Sequence, residues 1–302
     1  MVLVTGVNGF IGRRLAKALA SMGHEVIGLD LEDSCDVDGI KSYHQADVLE
    51  KDAITKAARN VRVIVHLAAL TTHEEIVGNK YAALDINLRG TKNVLEVFNE
   101  SVTARQLIYS STGKVYGDIL QLPITEEHPL NPRNILGKSK RLAEDLVDFY
   151  VEEGKEYIVL RIFNVYGPGQ RGHFLVPTIL SQIERTSAGE CEITLGDIKA
   201  VRDYTYIDDV IGAFVKAVEK KREDGLHVYN ISSNRGASAE DIVRIIGKLM
   251  NIGIGIKVDE HRYRADEADI EYASFDKAHK SLGWSPKYGL REGLERTIQG
   301  VK

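Results

Sequence analysis

The sequence predicts an α/β fold: a doubly wound parallel sheet followed by a smaller C-terminal lobe. Three observations predict it. From Met1 to about Arg161, short apolar runs alternate with stretches of helical period, the pattern of a parallel sheet with helices on both faces. The first run, Val2-Leu3-Val4, enters a turn carrying Gly6, Gly9 and Gly12, after which Arg13 to Leu19 takes up a helical period. Beyond about Arg171 the alternation weakens, and short strands and helices follow in no regular order. We therefore expect a dinucleotide-binding domain over 1–165 and a smaller substrate-binding lobe over 166–302, with a chain that crosses between them more than once.

The bulk properties narrow the function classes. At 302 residues the chain can bury a large core, and its formal net charge of −5 leaves no broad basic surface for nucleic acid or an acidic membrane. Any phosphate site has to be local. Cys35 and Cys191 lie far apart without metal-ligand spacing, so we expect no disulfide framework and no metal. The apolar run at Met1 to Val4 is too short for a signal-peptide core, and no run reaches the roughly 18 residues that span a bilayer. The expectation is a soluble, cytoplasmic protein.

Taken in order, the strand, glycine turn and helix at the start form a place for a diphosphate. Glycines let the backbone turn sharply and approach a ligand, and the unpaired amides and positive dipole end of the helix attract an anion. Gly6, Asn8, Gly9, Phe10, Ile11 and Gly12 are the candidate cofactor contacts. The Gly-x-x-Gly-x-x-Gly spacing is one residue wider than the usual dinucleotide fingerprint, but its context supplies the rest. Glu25 to Asp30 reads as a second strand ending in a carboxylate about 20 residues past the glycines, where an acid binds a ribose 2′-hydroxyl. Asp30 favours NAD over NADP, since its charge repels a 2′-phosphate.

Tyr43 to Val48 reads as the next strand and its exit, which sets Asp47 and Val48 beside the adenine. Val61 to Ala69 is a fourth strand running into Leu67, Ala68 and Ala69, whose small side chains suit close approach to a ligand. His66, at that strand's end, is read as packed and hydrogen-bonded. A helix over 81–100 carries Asn87. The strand Gln106 to Thr112 ends in three hydroxyl residues, and ligands of open α/β sheets bind beyond the carboxyl ends of strands, so Thr112 is a candidate ligand contact. A loop with three prolines over 123–132 precedes a long helix over 135–153, with a charged face and an apolar stripe at Leu142, Leu146, Phe149 and Tyr150. The strand 158–163 exits into a turn at 164–169. Further on we expect a helix over 174–185, strands over 191–195 and 202–207, a helix capped by Asp208 and running to 221, a strand over 228–231, a helix from Ser238 to 250, and a last helix over 290–299.

So many motifs in this order carry a resemblance. They are Gly6-x-x-Gly9-x-x-Gly12, Asp30, Asp47-Val48, His66-Leu67-Ala68-Ala69, Asn87 with Gly90-Thr91, Ser110-Ser111-Thr112 with Val115-Tyr116-Gly117, and Arg161 to Pro168. Arg202-Asp203-Tyr204, Asp208-Asp209-Val210, Asn230-Ile231-Ser232, Arg264-x-Asp266 and Leu282-Gly283-Trp284-x-Pro286 continue the series. Over nearly its whole length the chain resembles the extended short-chain dehydrogenase/reductase proteins, specifically the nucleotide-sugar epimerases and dehydratases of the UDP-glucose 4-epimerase kind. The resemblance implies a Rossmann-type sheet, resident NAD that takes a hydride from a sugar and returns it, a UDP-sugar or other nucleotide-sugar substrate, and a homodimer formed through the helices 81–100 and 135–153.

It also implies roles. Thr112 matches the sugar-orienting hydroxyl, and Lys140 the lysine that binds the nicotinamide ribose. Asn164 matches the diphosphate hydrogen-bonder, and Arg202 and Arg264 its two basic ligands. The family's acid/base tyrosine position is Leu136, within a retained Gly137-x-Ser139-Lys140 frame. A positioned acid/base contributes about 10²–10⁴-fold, so the ordinary chemistry is slowed by that order unless another group substitutes. Lys114, two residues past Thr112 and next to Gly113, where related dehydratases carry an acid, is one candidate; the other reading makes it a surface or phosphate-contacting lysine. Tyr116 is a weaker substitute, expected to pack beside the sheet. Two functions stay open: an epimerase or dehydratase with altered acid/base chemistry, or a nucleotide-sugar-binding protein that keeps NAD as a structural cofactor. Leu136 divides them.

Overall fold

The computed structural model describes residues 1–172, 174–186, 191–263 and 268–300. Its elements in chain order are β1 (Val2–Thr5), α1 (Phe10–Ser21), β2 (Val26–Asp30), β3 (Ser42–Gln45), α2 (Lys51–Ala57), β4 (Val63–His66), α3 (His73–Gly78) and α4 (Lys80–Leu84). A π-helical turn (Asp85–Gly90) leads into α5 (Thr91–Glu100), followed by β5 (Gln106–Thr112), α6 (Ile135–Phe149), β6 (Glu156–Ile162) and β7 (Asn164–Tyr166). Then come α7 (Leu175–Glu184), β8 (Cys191–Leu195), β9 (Val201–Tyr206), α8 (Ile207–Glu219), β10 (Gly225–Ile231), β11 (Gly236–Ser238) and α9 (Ala239–Met250). The chain closes with β12 (Ile254–Val258), β13 (Ile270–Glu271), α10 (Asp276–Leu282) and α11 (Leu290–Gln299).

Seven strands form one parallel sheet in the order β10-β6-β5-β4-β1-β2-β3. The chain winds from β1 outward through β2 and β3, then returns to the far side of β1 and winds the other way, so the order reverses between β1 and β4. Ligands of open parallel sheets bind at such a reversal. The inner strands are largely apolar on both sides, because helices cover both faces, whereas the edge strand β3 (Ser42–Gln45) is polar and partly exposed. On one face α1 and α8 bury Leu15, Leu19, Val210 and Phe214 against Val4, Val65 and Ile158. On the other, α2, α5 and α6 bury Ile54, Leu95, Phe98 and Val147 against Leu3, Ile64 and Tyr157.

The second sheet begins without a loop. One residue after β6, β7 pairs in parallel with the end of β9, while β11 and β13 flank the start of β9. A small third sheet joins β8 and β12. The chain passes residue 165 and later returns: α8 packs on the large sheet, and β10 joins it in register with all of β6. One expected cap is corrected. The N-cap of α8 is Tyr206, with no side-chain bond, and Asp208 lies in the first turn with Asp209, whose carboxylate instead accepts the amides of Lys287 and Tyr288 at 2.8 and 3.1 Å. The Ser238 cap forms as expected, in a capping box with Asp241. Helix 81–100 is interrupted by the π turn, which brings Asn87 inward.

Candidate functional site

At the reversal point, Gly6 has φ +71°, and a Cβ there would meet the backbone nitrogen of Ala68 at 2.7 Å. A Cβ on Gly12 would stand 2.1 Å from the Gly6 carbonyl oxygen. The turn is thus closed on itself and laid against Leu67 and Ala68 as only glycine allows. Helix α1 starts after Gly9 with no side-chain cap and no acid in its first turn, so its leading amides and dipole are left to an anion. Asn8 donates from its amide nitrogen to Ser34 O at 2.9 Å, while its Oδ1 is buried with no partner among the described residues. The Asp30 carboxylate is held at the neighbouring strand end by the amides of Asn8 and Leu31, both at 2.8 Å. Asp47 accepts the Leu49 amide at 2.8 Å, and Val48 is buried. Leu67, Ala68 and Ala69 remain partly exposed along the same edge.

His66 is structural in its contacts. Its Nδ1 meets Thr5 Oγ1 at 2.7 Å and its Nε2 meets Thr91 Oγ1 at 3.1 Å. Burial, helped by repulsion from Lys140, pulls its pKa down to about 3, so the ring is neutral at ordinary pH.

The end of β5 and the start of α6 form the second cluster. Lys140 is almost fully buried, donates to Ser110 O at 2.8 Å and lies over the Tyr109 ring, 4.8 Å from its centre. Burial pulls its pKa down to about 7, with Glu144 acting the other way. Leu136 sits one turn earlier on the same helix and is half-buried. Gly137 lets the helix start press on the preceding loop: a Cβ there would meet the Lys114 carbonyl oxygen at 2.3 Å. Asn87 ties the cluster together, bonding Leu70 in both directions and donating to Ser139 Oγ at 3.0 Å.

Thr112, Lys114, Asn164 and Arg202 come together through strand register. Thr112 is opposite Ile162, two residues before Asn164. Asn164 is opposite Tyr204, two residues after Arg202. Arg202 is opposite Glu271, and Glu271 Oε2 accepts a hydrogen bond from Lys114 Nζ at 2.9 Å. Thr112 Oγ1 closes the ring by accepting the Lys114 amide at 3.2 Å. Lys114 is therefore neither a surface lysine nor unopposed: it is part of a mostly buried ion pair. Asn164 donates to Asp203 O at 3.0 Å, and Arg202, itself buried, donates to Val201 O at 3.0 Å. Arg264 lies outside the described residues.

Several residues were not legible as parts of this region. Glu144, on the charged face of the long helix, is buried against Arg161, whose Nη2 donates to it at 2.7 Å, and it also accepts from Ser111 Oγ. Arg161 continues to Tyr116 Oη at 3.0 Å, which donates to Asn230 Oδ1 at 2.6 Å. Tyr116 is thus locked inside the protein, and burial pushes its phenol far above the usual range. The place beside Gly113 is taken by the Phe163 ring, 2.7 Å from where a Cβ would be. Asp203 is fully buried: its Oδ1 accepts the Ser233 amide at 2.7 Å, its Oδ2 has no partner among the described residues, and burial raises its pKa to about 6. A cavity of about 500 Å³ between Asp118–Leu122, Arg133 and Ala268–Ile270 includes none of the expected contacts.

A glycine turn at the reversal of a doubly wound sheet, with hydroxyl, lysine and arginine side chains gathered along the same edge, defines a protein of the dinucleotide-binding Rossmann class. A family model described as GDP-mannose 4,6 dehydratase matches residues 3–297. A protein of Methanocaldococcus jannaschii, named provisionally as a UDP-glucose 4-epimerase, is 32% identical over all of this chain and 98% of its own length. The solved UDP-glucose 4-epimerase of Thermotoga maritima with UDP-glucose has a TM-score of 0.87 at 28% identity, covering 99% of this chain and 97% of that one. The UDP-glucuronic acid 4-epimerase of Bacillus cereus, solved with UDP-glucuronic acid and NAD, has a TM-score of 0.88 at 27% identity, covering 99% and 98%. The chain belongs to the extended short-chain dehydrogenase/reductase family, among its nucleotide-sugar epimerases and dehydratases.

Proposed function

We propose that this chain is an NAD-dependent epimerase or dehydratase of a nucleotide sugar, most closely a UDP-sugar 4-epimerase, working with altered acid/base chemistry. The observation that carries the reading is the single edge on which a glycine-closed turn, Thr112, Lys140, Asn164 and Arg202 all stand. The turn fits a dinucleotide: it is uncapped, closed by glycines and followed by the ordered Asp30 carboxylate. Gly6, Asn8, Gly9, Phe10, Ile11, Gly12, Asp30, Asp47, Val48, Leu67, Ala68, Ala69 and Lys140 would hold NAD, with residues 1–165 supplying this half and 166–302 most of the sugar-nucleotide half. When bound, NAD supplies a hydride acceptor that also gives the hydride back. Asn164, Arg202 and Arg264 hold the diphosphate of the substrate; an arginine fork suits phosphate oxygens. Thr112 orients the sugar hydroxyl, and Lys140 the ribose. Lys114 would pass a proton to or from the sugar, giving up its bond to Glu271 to do so.

The Phe163 ring beside Gly113 leaves no room for an acid at the dehydratase position, which favours epimerisation over dehydration. Leu136 supports a second reading, in which the chain binds nucleotide sugars, keeps NAD as a structural cofactor and has lost turnover. The exposed Tyr81, Leu142 and Phe149, on α4 and α6, support a homodimer through these helices. Two free cysteines fit work in the cytoplasm.

The test is to load the protein with NAD, add a panel of UDP- and GDP-sugars, follow reduced-nicotinamide absorbance and identify products by NMR. An epimerised sugar is the expected outcome. Tight binding with neither reduced cofactor nor product establishes the binding-protein reading, and binding of neither NAD nor any nucleotide sugar overturns both.

A further inference from the structure

We propose that the Lys114–Glu271 ion pair selects the class of sugar, favouring a neutral hexose over a hexuronic acid on the same nucleotide. The inference rests on the nucleotide-sugar reading above and extends it to the group beyond the diphosphate.

The pair has a defined place. Lys114 follows Thr112 by two residues and has its amide bound to the threonine hydroxyl, whereas Glu271 stands opposite Arg202 on the adjoining strand. A sugar reaching from the diphosphate at Arg202 to the hydroxyl at Thr112 therefore passes the pair. The pair is also fixed. Its side chains are 16% and 6% exposed, it joins the large sheet's edge to the second sheet, and the start of α6 packs on the Lys114 backbone through Gly137.

Such a pair treats hydroxyls and carboxylates differently. Its ammonium donates and its carboxylate accepts, so neighbouring sugar hydroxyls can bond to both while the pair stays intact. A sugar carboxylate meets the like charge of Glu271 where solvent screening is weak, and it can claim Lys114 only by leaving Glu271 buried and unpaired.

The test uses calorimetric titration of the NAD-loaded protein with UDP, UDP-glucose and UDP-glucuronic acid. The wild-type protein should bind UDP-glucose more tightly than UDP-glucuronic acid by about tenfold or more, the scale of a single unfavourable charge contact. Glu271→Gln removes the carboxylate that opposes the sugar's charge and should move that ratio by about tenfold toward UDP-glucuronic acid while leaving UDP unchanged. Should that variant fail to fold, the double variant Lys114→Met with Glu271→Leu removes both charges and keeps apolar bulk, and its ratio should fall close to one. A wild-type preference for UDP-glucuronic acid, or a ratio that neither variant shifts, overturns the inference. Failure of UDP itself to bind instead overturns the UDP-sugar reading on which it rests.

Discussion

The β1–α1 turn and the start of α6 are built alike and end differently. Each brings a glycine into contact with a neighbouring carbonyl or amide and then opens a helix along the same sheet edge. At the first, every part suited to a diphosphate and a ribose is in place. At the second, the Asn134 cap, Gly137, Ser139 and buried Lys140 are in place around a leucine that has no proton to exchange. The contrast separates two requirements that the proposed function places on one sheet edge: a backbone shaped for a dinucleotide, and a side chain able to exchange a proton. On that reading the first requirement is met by backbone shape, which a run of glycines secures, and the second turns on one side chain's functional group.

The sharpest way to probe the contrast is Leu136→Tyr. If only the acid/base group is missing, epimerase turnover should rise by about 10²–10⁴-fold with NAD affinity unchanged, measured by steady-state kinetics. No gain, with binding unaltered, means that the second region has diverged at more than one residue. The converse is Gly12→Ala, which drives a methyl group into the Gly6 carbonyl. Overpacking of this kind predicts a loss of NAD affinity of roughly 10- to 100-fold by fluorescence titration. Retained affinity would mean that the turn is not the cofactor's seat. Asp30→Asn should act less strongly, narrowing the NAD-over-NADP preference by about tenfold as the charge opposing a 2′-phosphate is removed.

A smaller effect separates the two regions by pH. His66 lies under the dinucleotide edge, with its pKa lowered from 6.5 to about 3, so the unfolded chain binds the extra proton and stability falls on acidification across that window. Asp203 lies in the second sheet, raised from 3.8 to about 6, so its contribution is complete below 3.8 and is lost as pH rises through 6. Between about pH 4 and 6 the two slopes oppose each other. Urea unfolding of His66→Gln should therefore show stability rising as pH falls through 6, by up to about 1.4 kcal/mol per unit, and Asp203→Asn the reverse. Parallel curves for both variants would show that neither group titrates as its burial requires.

The sequence made the first region legible and only half of the second. Glycine spacing, strand, helix and Asp30 are local signals, all within the first 30 residues. The α/β alternation is local too, and it yielded the doubly wound sheet. Glu144 and Arg161 were not readable as a pair, because a glutamate on a charged helix face looks the same whether solvent or an arginine 17 residues away satisfies it. Lys114 and Glu271 are 157 residues apart, and only the register of a two-residue strand, β13, brings them together. Asp208 looked like a cap because an acid preceded an apolar helical run, but the helix starts earlier, at Ile207, and uses its acids for the dipole and for Lys287 and Tyr288.

The return of β10 to the large sheet has a consequence for how the protein is made. All seven residues of β6 are buried, and one side of that strand stays uncovered until residue 231 has left the ribosome. Until then the nascent chain carries an apolar strand edge able to pair with another chain. β7 and β9 of the second sheet and β8 of the third are synthesised during that interval, so the last strand of the large sheet closes only after part of the second sheet has been made. A fragment ended at residue 165 would keep that edge permanently open and should aggregate, so the large sheet and the second sheet are bound to one another by the order in which they are made.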